Sequence, residues 1–566
     1  MIEWNHHFLT YPRHLKRQRL LLDGLWDFCF TPTPDDPVGF VSRMAVPGCW
    51  DASVEFALQR GVGHYRQTVA VPASGAYRIC FEGVANGAVV EVDGKRVGNH
   101  FGPHVPFATP DFHLDEGSHE IVIHVDNRFG EHNAILLKRC GWYCYGGIHR
   151  SLCLEKVPEV RVDRLHVTTL SVDETAATVA IQASFSAKAG EAMIHVTSVG
   201  GETLWQERVP FANGRMRKTV ELGGVVPWSP ETPALYVVRV ETDDDDLCHR
   251  VGFRTIACSN GRILLNGREI KLHGINHHDY HPESGYTSDL LRMKRDLDII
   301  RELGLNFVRT SHYPKDSLFL DLCDEMGLLV WEETPGWQNG PAEMRTERFR
   351  QQYLQSVSDM VIAHYNHPCI ILWGFLNEVR SEYQDLRPVF EAITGRFREL
   401  DPHRPVTYAT NRLLHNPDKM LDLVDVLAPN LYNGWYLEEY GKEYPTSPAG
   451  YLERLLKWFD EQGLGEKPVV IGEVGAGGVA GTHRLDRRRW SEEHQLDIFE
   501  EALDAYDDNP RVTGYALWLF ADTACCESEE MKRPNSHNSK GLLDEYRNPK
   551  MAYHAIRARL RSRRPS

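Results

Sequence analysis

The sequence predicts a multidomain chain in which two N-terminal β-sandwiches precede a (β/α)8 TIM barrel. Its 566 residues exceed what one core can fill. Residues 1–157 and 158–257 show short alternating strands with no helical period, whereas residues 258–566 alternate apolar runs with amphipathic helices.

In the first segment the runs AYRICFEGV, GAVVEVDGKRVG and HEIVIHVDNR alternate apolar and polar residues, and Asp93-Gly94 between two such runs signals a hairpin. The second segment, with VRVDRLHVTTL, ATVAIQASFSA, EAMIHVTSVG and ALYVVRVET, has the length and strand spacing of an immunoglobulin-like sandwich. The acidic run Asp243 to Asp246 reads as a solvated hairpin loop, since a calcium site needs more convergent ligands. After Ser259 the first helix is DLLRMKRDLDIIRELG, with Leu290, Leu291, Met293, Leu297, Ile300 and Leu303 near one face. Eight strand-like runs follow the change of texture: REIKLHGIN, NFVRTSH, GLLVWEET, IILWGFLNE, VTYAT, VDVLAPN, KPVVIGEVG and VTGYALWLFAD. In such a barrel the chemistry lies at the C-terminal strand ends.

The net charge of −16 disfavours nucleic acid and anionic membrane as partners. The first residues lack an apolar signal core, and no run reaches membrane-spanning length. Twelve cysteines without metal-ligand spacing are expected to be reduced structural thiols, which fits a cytoplasmic home. No glycine-rich phosphate loop follows a strand, so no nucleotide, flavin or other cofactor is expected.

The predicted strand ends are rich in polar residues. Strand one gives Asn276, His277, His278 and Asp279; strand two gives Arg309, Ser311 and His312; strand three gives Glu332 and Glu333. Asn377 and Glu378 end strand four, Asn430 ends strand six with Tyr432 just beyond, Glu473 ends strand seven, and Trp518 and Asp522 come from strand eight. A carboxylate directly after a buried strand is costly unless it works. Two of them supply the acid/base and nucleophile that glycoside hydrolysis needs. Convergent donors, acceptors and aromatic rings suit a hydroxyl-rich ligand. His278 and His312 also leave a metal ion open, but the carboxylates and tyrosines favour sugar hydroxyls.

The order and wording of these segments resemble glycoside hydrolase family 2. The resemblance spans nearly the whole chain, through LDGLWDF, VPGCWD, GGIHRSL and PWSPETPALY in the sandwiches and HGINHHDYHP, VRTSHYP, NHPCIILWGFLNE and VVIGEVG in the barrel. It implies a jelly-roll-like, sugar-binding-like first sandwich, Glu378 as general acid/base and Glu473 as nucleophile. It also implies that Asn377 holds the sugar 2-hydroxyl and that Arg309 pairs with the nucleophile. The implied mechanism is retaining, for which the two carboxyl groups lie about 5 to 5.5 Å apart. Self-association into a homo-oligomer is a further expectation by resemblance.

Within the family, PNLYNGWY, with Asn430, Tyr432 and Tyr436, and HNSKGLL, with Asn538 and Lys540, are most similar to bacterial β-glucuronidases. There the Asn-x-Lys-Gly arrangement binds the uronic acid carboxylate, as a cation and a donor held together should. One departure stands out: Gly141, in CGWYCYGGIHR, replaces an Asp that holds outer hydroxyls in many members. The C4 epimer therefore stays in contention, so β-galacturonidase is the first alternative and β-galactosidase the next. A catalytically dead carbohydrate-binding relative is the non-enzyme alternative, and transglycosylation is chemically equivalent up to the acceptor. The short segment after strand three implies an open mouth, where Trp337 and Gln338 are candidates for touching the leaving group or for shaping the loop.

Overall fold

The computed structural model describes residues 13–130, 133–138, 140–436, 447–526 and 533–563. The first sandwich pairs a six-stranded antiparallel sheet with a five-stranded one. Alternation along each strand turns residues such as Phe28, Tyr65, Val90 and Ile123 inward, where they meet Tyr77, Ile79 and Leu154 of the facing sheet. The second segment runs as one seven-stranded sheet from Val162–Val172 to Asp246–Val251, folded around its own core of Val179, Ile194, Val238 and Phe253.

Eight parallel strands then close the predicted barrel: β1 Leu272–Asn276, β2 Phe307–Arg309, β3 Leu329–Glu333, β4 Ile370–Asn377, β5 Val406–Thr410, β6 Ala428–Leu431, β7 Val469–Val474 and β8 Val512–Leu517. Leu272 pairs with Gly514 to close the ring. Every residue of β4 and β7 is buried, as parallel strands covered on both faces require. The helix Leu290–Leu303 that follows β1 is capped by the Asp289 side chain on Arg292 N and stopped by Gly304 at φ 94°. Among the described residues no helix is long and apolar enough to cross a membrane.

Two details differ from the sequence reading. The run REIKLHGIN is two strands: Arg268–Ile270 belongs to a small three-stranded sheet ahead of the barrel, and only Leu272–Asn276 joins the ring. The acidic run is half buried. Asp243 and Asp244 are exposed, whereas Asp245 is fully buried against Arg17 and Val162 N. Asp246 accepts from Leu15 N, Lys16 N and Arg239. The N-terminal segment folds back over this hairpin and supplies the cations and amides that burial of a carboxylate demands.

The sandwiches are fastened to the barrel through residues of the quoted motifs. Arg150 of GGIHRSL donates to the carbonyls of His104, Pro314 and Lys315. Beside it, a Cβ on Gly147 (φ 146°) would sit 2.2 Å from Gly48 O, so only glycine fits this crossing. Trp228 of PWSPETPALY is fully buried and donates to Asp324 O at 2.9 Å. These contacts bring the 140–146 loop of the first sandwich over the mouth of the barrel, where Tyr143 N bonds Ala524 O.

Candidate active site

A cavity of about 340 Å³ opens at the C-terminal end of the barrel. Its lining includes His312, Glu378, Tyr432, Tyr436, Glu473, Trp518, Asn538 and Lys540. Of the other expected residues, Arg309 bonds Glu473 and Asn430 bonds Glu378 from beneath, and Asn377 accepts from both Arg309 and Asn430. His278 stands behind the wall. Its Nδ1 meets Tyr313 OH at 3.1 Å and its ring packs on Trp142, His312 and Trp518.

The end of β4 leaves regular strand geometry so that Asn377 and Glu378 can turn inward. Leu376 and Glu378 take positive φ values of 50° and 52°, and the register to β5 shifts between Gly374 and Asn377. Such conformations are costly for non-glycine residues and persist when neighbours hold them. Here Tyr353 OH accepts from Leu376 N, Gly336 O accepts from Asn377 N, and Ala409 O accepts from Glu378 N.

Glu378 accepts from Asn430 Nδ2 at 3.0 Å and from Gln338 Nε2 at 3.2 Å. Glu473 accepts from Arg309 Nη1 at 3.0 Å and from Tyr432 OH at 2.6 Å. Arg309 is fully buried and also holds Glu333 through two 3.0 Å bonds, with Asn276 Oδ1 and Asn377 Oδ1 as further acceptors. His312 bonds Glu333 through Nδ1 at 2.7 Å. Burial first, then repulsion from Glu378, pushes Glu473 up to about 7, while Arg309 and Tyr432 oppose the rise. Burial likewise pushes Glu333 up to about 7 against the pull of Arg309.

Lys540 enters from the segment after β8. Its backbone is locked: Leu519 N donates to Lys540 O, Gln495 donates to Gly541 O, and Asp522, gripped by Lys550 at 2.7 Å, accepts from Gly541 N. A Cβ on Gly541 would lie 2.3 Å from Leu543 O and 2.4 Å from Asp522 N, so this turn requires glycine. The Lys540 ammonium is 4.8 Å from the Tyr436 ring centre, 5.2 Å from Tyr432 and 5.8 Å from Trp435, and donates to Tyr436 OH at 2.6 Å. Burial, then the nearby Arg533, holds its pKa well below the ordinary lysine value. It forms no carboxylate ion pair among the described residues, though it is only 1 % exposed.

Several polar atoms here are buried and without a partner among the described residues: Asn377 Nδ2, Asn430 Oδ1, Asn538 Oδ1 and Asn411 Oδ1. Leaving such atoms unmet is expensive. Asn411 was missed by sequence reasoning; its signal was a polar residue directly beyond strand five. Asp51 was missed as well. It is fully enclosed, pushed up to about 7 by burial, and holds the Trp142 loop through Tyr143 OH, Asn127 and Gly146 N.

Two groups of side chains carry metal-ligand atoms close together, Asp324 with His367 and Cys369, and His14 with Asp245 and Asp246. Both lie outside the cavity. His367 and the Cys369 amide bond Asp324, and Asp245 and Asp246 bond arginines and amides. His278 and His312, the expected alternative for an ion, are engaged with Tyr313 and Glu333 instead.

Known proteins share this architecture. The family model for glycosyl hydrolases family 2, TIM barrel domain, matches residues 256–563, and the model for glycosyl hydrolases family 2 matches residues 160–254. A solved GH2 beta-galacturonidase from Eisenbergiella tayi, bound to galacturonate, superimposes with a TM-score of 0.88. It is 33% identical, over 98% of this chain and 99% of that one. A beta-glucuronidase of Streptococcus agalactiae is 27% identical across 97% of this chain and 98% of its own length. A putative beta-glucuronidase of Formosa agariphila is also 27% identical, over 85% of this chain and 61% of that longer protein. With the barrel model matching more than half of the chain and both carboxylates at strand ends in one cavity, the chain belongs to glycosyl hydrolase family 2.

Proposed function

We propose that the protein is a retaining, exo-acting β-uronidase that releases terminal β-D-glucuronic acid from glycosides. The observation that carries this reading is Lys540, a buried cation without a carboxylate ion pair among the described residues, beside Asn538 in the cavity that holds Glu378 and Glu473. A sugar carboxylate at C6 completes that pair, and a neutral sugar leaves it open. In this reading Glu473, oriented by Arg309 and Tyr432, attacks the anomeric carbon while Glu378 protonates the leaving oxygen. Glu378 then deprotonates the water that releases the glycosyl ester. The unmet Asn377 Nδ2 donates to the 2-hydroxyl. A cavity whose wall carries a buried lysine beside the two carboxylates suits a charged chain end, which supports exo action.

Galacturonate is the second reading. Gly141 lines the cavity where, by resemblance, many family members carry an Asp, and the Eisenbergiella relative is by its name a beta-galacturonidase. A cytoplasmic location rests on the cysteine usage, and self-association rests on family membership alone. The deciding test is kcat/KM on matched p-nitrophenyl β-D-glucuronide, β-D-galacturonide and β-D-galactoside. The reading expects a uronide to win, with its C4 epimer preference naming the enzyme. A galactoside preference would overturn it. Proton NMR of the first-formed anomer checks retention, for which the initial product must be β.

A further inference from the structure

The first sandwich carries a pair of thiols on the face it turns toward the barrel. Along Gly75–Phe81 the side chains of Ile79 and Phe81 enter the sandwich core, and along Leu152–Lys156 those of Leu152 and Leu154 do the same. Alternation therefore sends Cys80 and Cys153 to the opposite face of the sheet. The two are direct partners in the antiparallel register. Opposed residues hold their Cα atoms about 4.5–5.5 Å apart, inside the range that a disulfide spans. Both cysteines line a cavity of about 260 Å³, whose other side includes Leu290 and Leu318 of the barrel domain.

Arg19 lines the same cavity and donates from Nη2 to Cys153 Sγ at 3.3 Å. The neighbouring Cys80 thiol, and then Arg19, hold the Cys153 thiol below its usual value against the cost of burial. Cys80 is half buried, so the pair is reached from the cavity through its sulfur. A cation beside the sulfur and partial exposure are the surroundings in which cysteines react. Cys140 and Cys144 supply the contrast. Their sulfurs are 3.1 Å apart, but both residues are buried, and burial pushes the Cys140 thiol well up.

The structure assigns to Cys80 and Cys153 a dithiol modification site that a small hydroperoxide oxidises to a disulfide across the sheet. The peroxide meets Cys80 in the cavity while Cys153 takes the Cys80 proton. The Cys80 sulfur attacks one peroxide oxygen, the O–O bond breaks, and the hydroxide released takes a solvent proton and leaves as water. The Cys153 sulfur then attacks the sulfur of the Cys80 sulfenic acid. An S–S bond forms, the S–O bond breaks, and the departing hydroxide leaves as water with the Cys153 proton. The two sulfurs lose the two electrons that the peroxide gains. This site lies in a different cavity from Glu378 and Glu473 and stands independently of the uronidase reading.

The test treats the reduced, full-length protein with hydrogen peroxide, alkylates the remaining thiols and maps the peptides by mass spectrometry over time. The expected first product is a Cys80–Cys153 bridge, formed ahead of any Cys140–Cys144 bridge. Arg19→Met should slow its formation by about tenfold or more at neutral pH, and Arg19→Lys, which keeps a cation, should retain most of the rate. If the Arg19 variants do not fold, the wild-type map decides alone. A first bridge elsewhere, oxidation spread evenly over the twelve cysteines, or a rate that Arg19→Met leaves unchanged would overturn the site.

Discussion

Replacing Lys540 with methionine separates recognition of the substrate carboxylate from everything else the cavity does. Methionine keeps a side chain of similar length and removes the ammonium that faces Tyr432, Trp435 and Tyr436. A uronide then buries its carboxylate at a position that is 1 % exposed, without its cation. Breaking such a pair costs about 3–5 kcal/mol, which is between about two and four powers of ten in kcat/KM. A neutral β-D-glycoside loses only the Lys540 hydrogen bond and should change by less than about tenfold. The assay is kcat/KM for p-nitrophenyl β-D-glucuronide and β-D-glucoside on wild type and variant. Equal losses on both would refute the carboxylate assignment.

Stability should move the other way. A lysine with a depressed folded-state pKa binds protons more weakly folded than unfolded. It therefore lowers stability below its unfolded value, and stability recovers as pH rises. Removing it should leave the empty variant at least as stable as wild type, with the largest gain at low pH, measured by thermal melting across pH.

Two further outcomes follow from the carboxyl cluster. The acid limb of kcat/KM should lie near 7, because Glu473 must be ionised to attack and is pushed up to about 7. Glu378→Gln removes the repelling charge and should move that limb down in its residual activity on an aryl uronide. A limb that stays put would assign it to Glu333, also raised to about 7. Arg309→Met strands Glu333 and Glu473 in the interior and should destabilise the barrel by about 3–5 kcal/mol. Urea unfolding followed by tryptophan fluorescence checks this, and a midpoint shift below the equivalent of about 1 kcal/mol would contradict it.

The change of periodicity after Ser259 was legible because a half-buried sheet alternates with period two and a barrel strand covered on both faces does not alternate. Glu378 and Glu473 were legible for the same reason: each stands at the end of a wholly apolar run that can only be a buried strand. Asp243 to Asp246 show the opposite case. Charge in the sequence argues for solvent, and only the fold brings Arg17, Arg239 and the backbone of Leu15 and Lys16 to bury two of the four.

The sequence by itself determined the domain order, the barrel and the strand ends where chemistry belongs, because hydrophobic period and short polar motifs are local properties. Only the tertiary structure decided that Lys540 is caged by aromatic rings more than a hundred residues away. The tertiary structure also decided that Asn411 flanks Glu378 and that a loop of the first sandwich walls the cavity with Trp142. Such partners are set by closing the ring and docking the sandwiches on it, long-range contacts that no local pattern encodes.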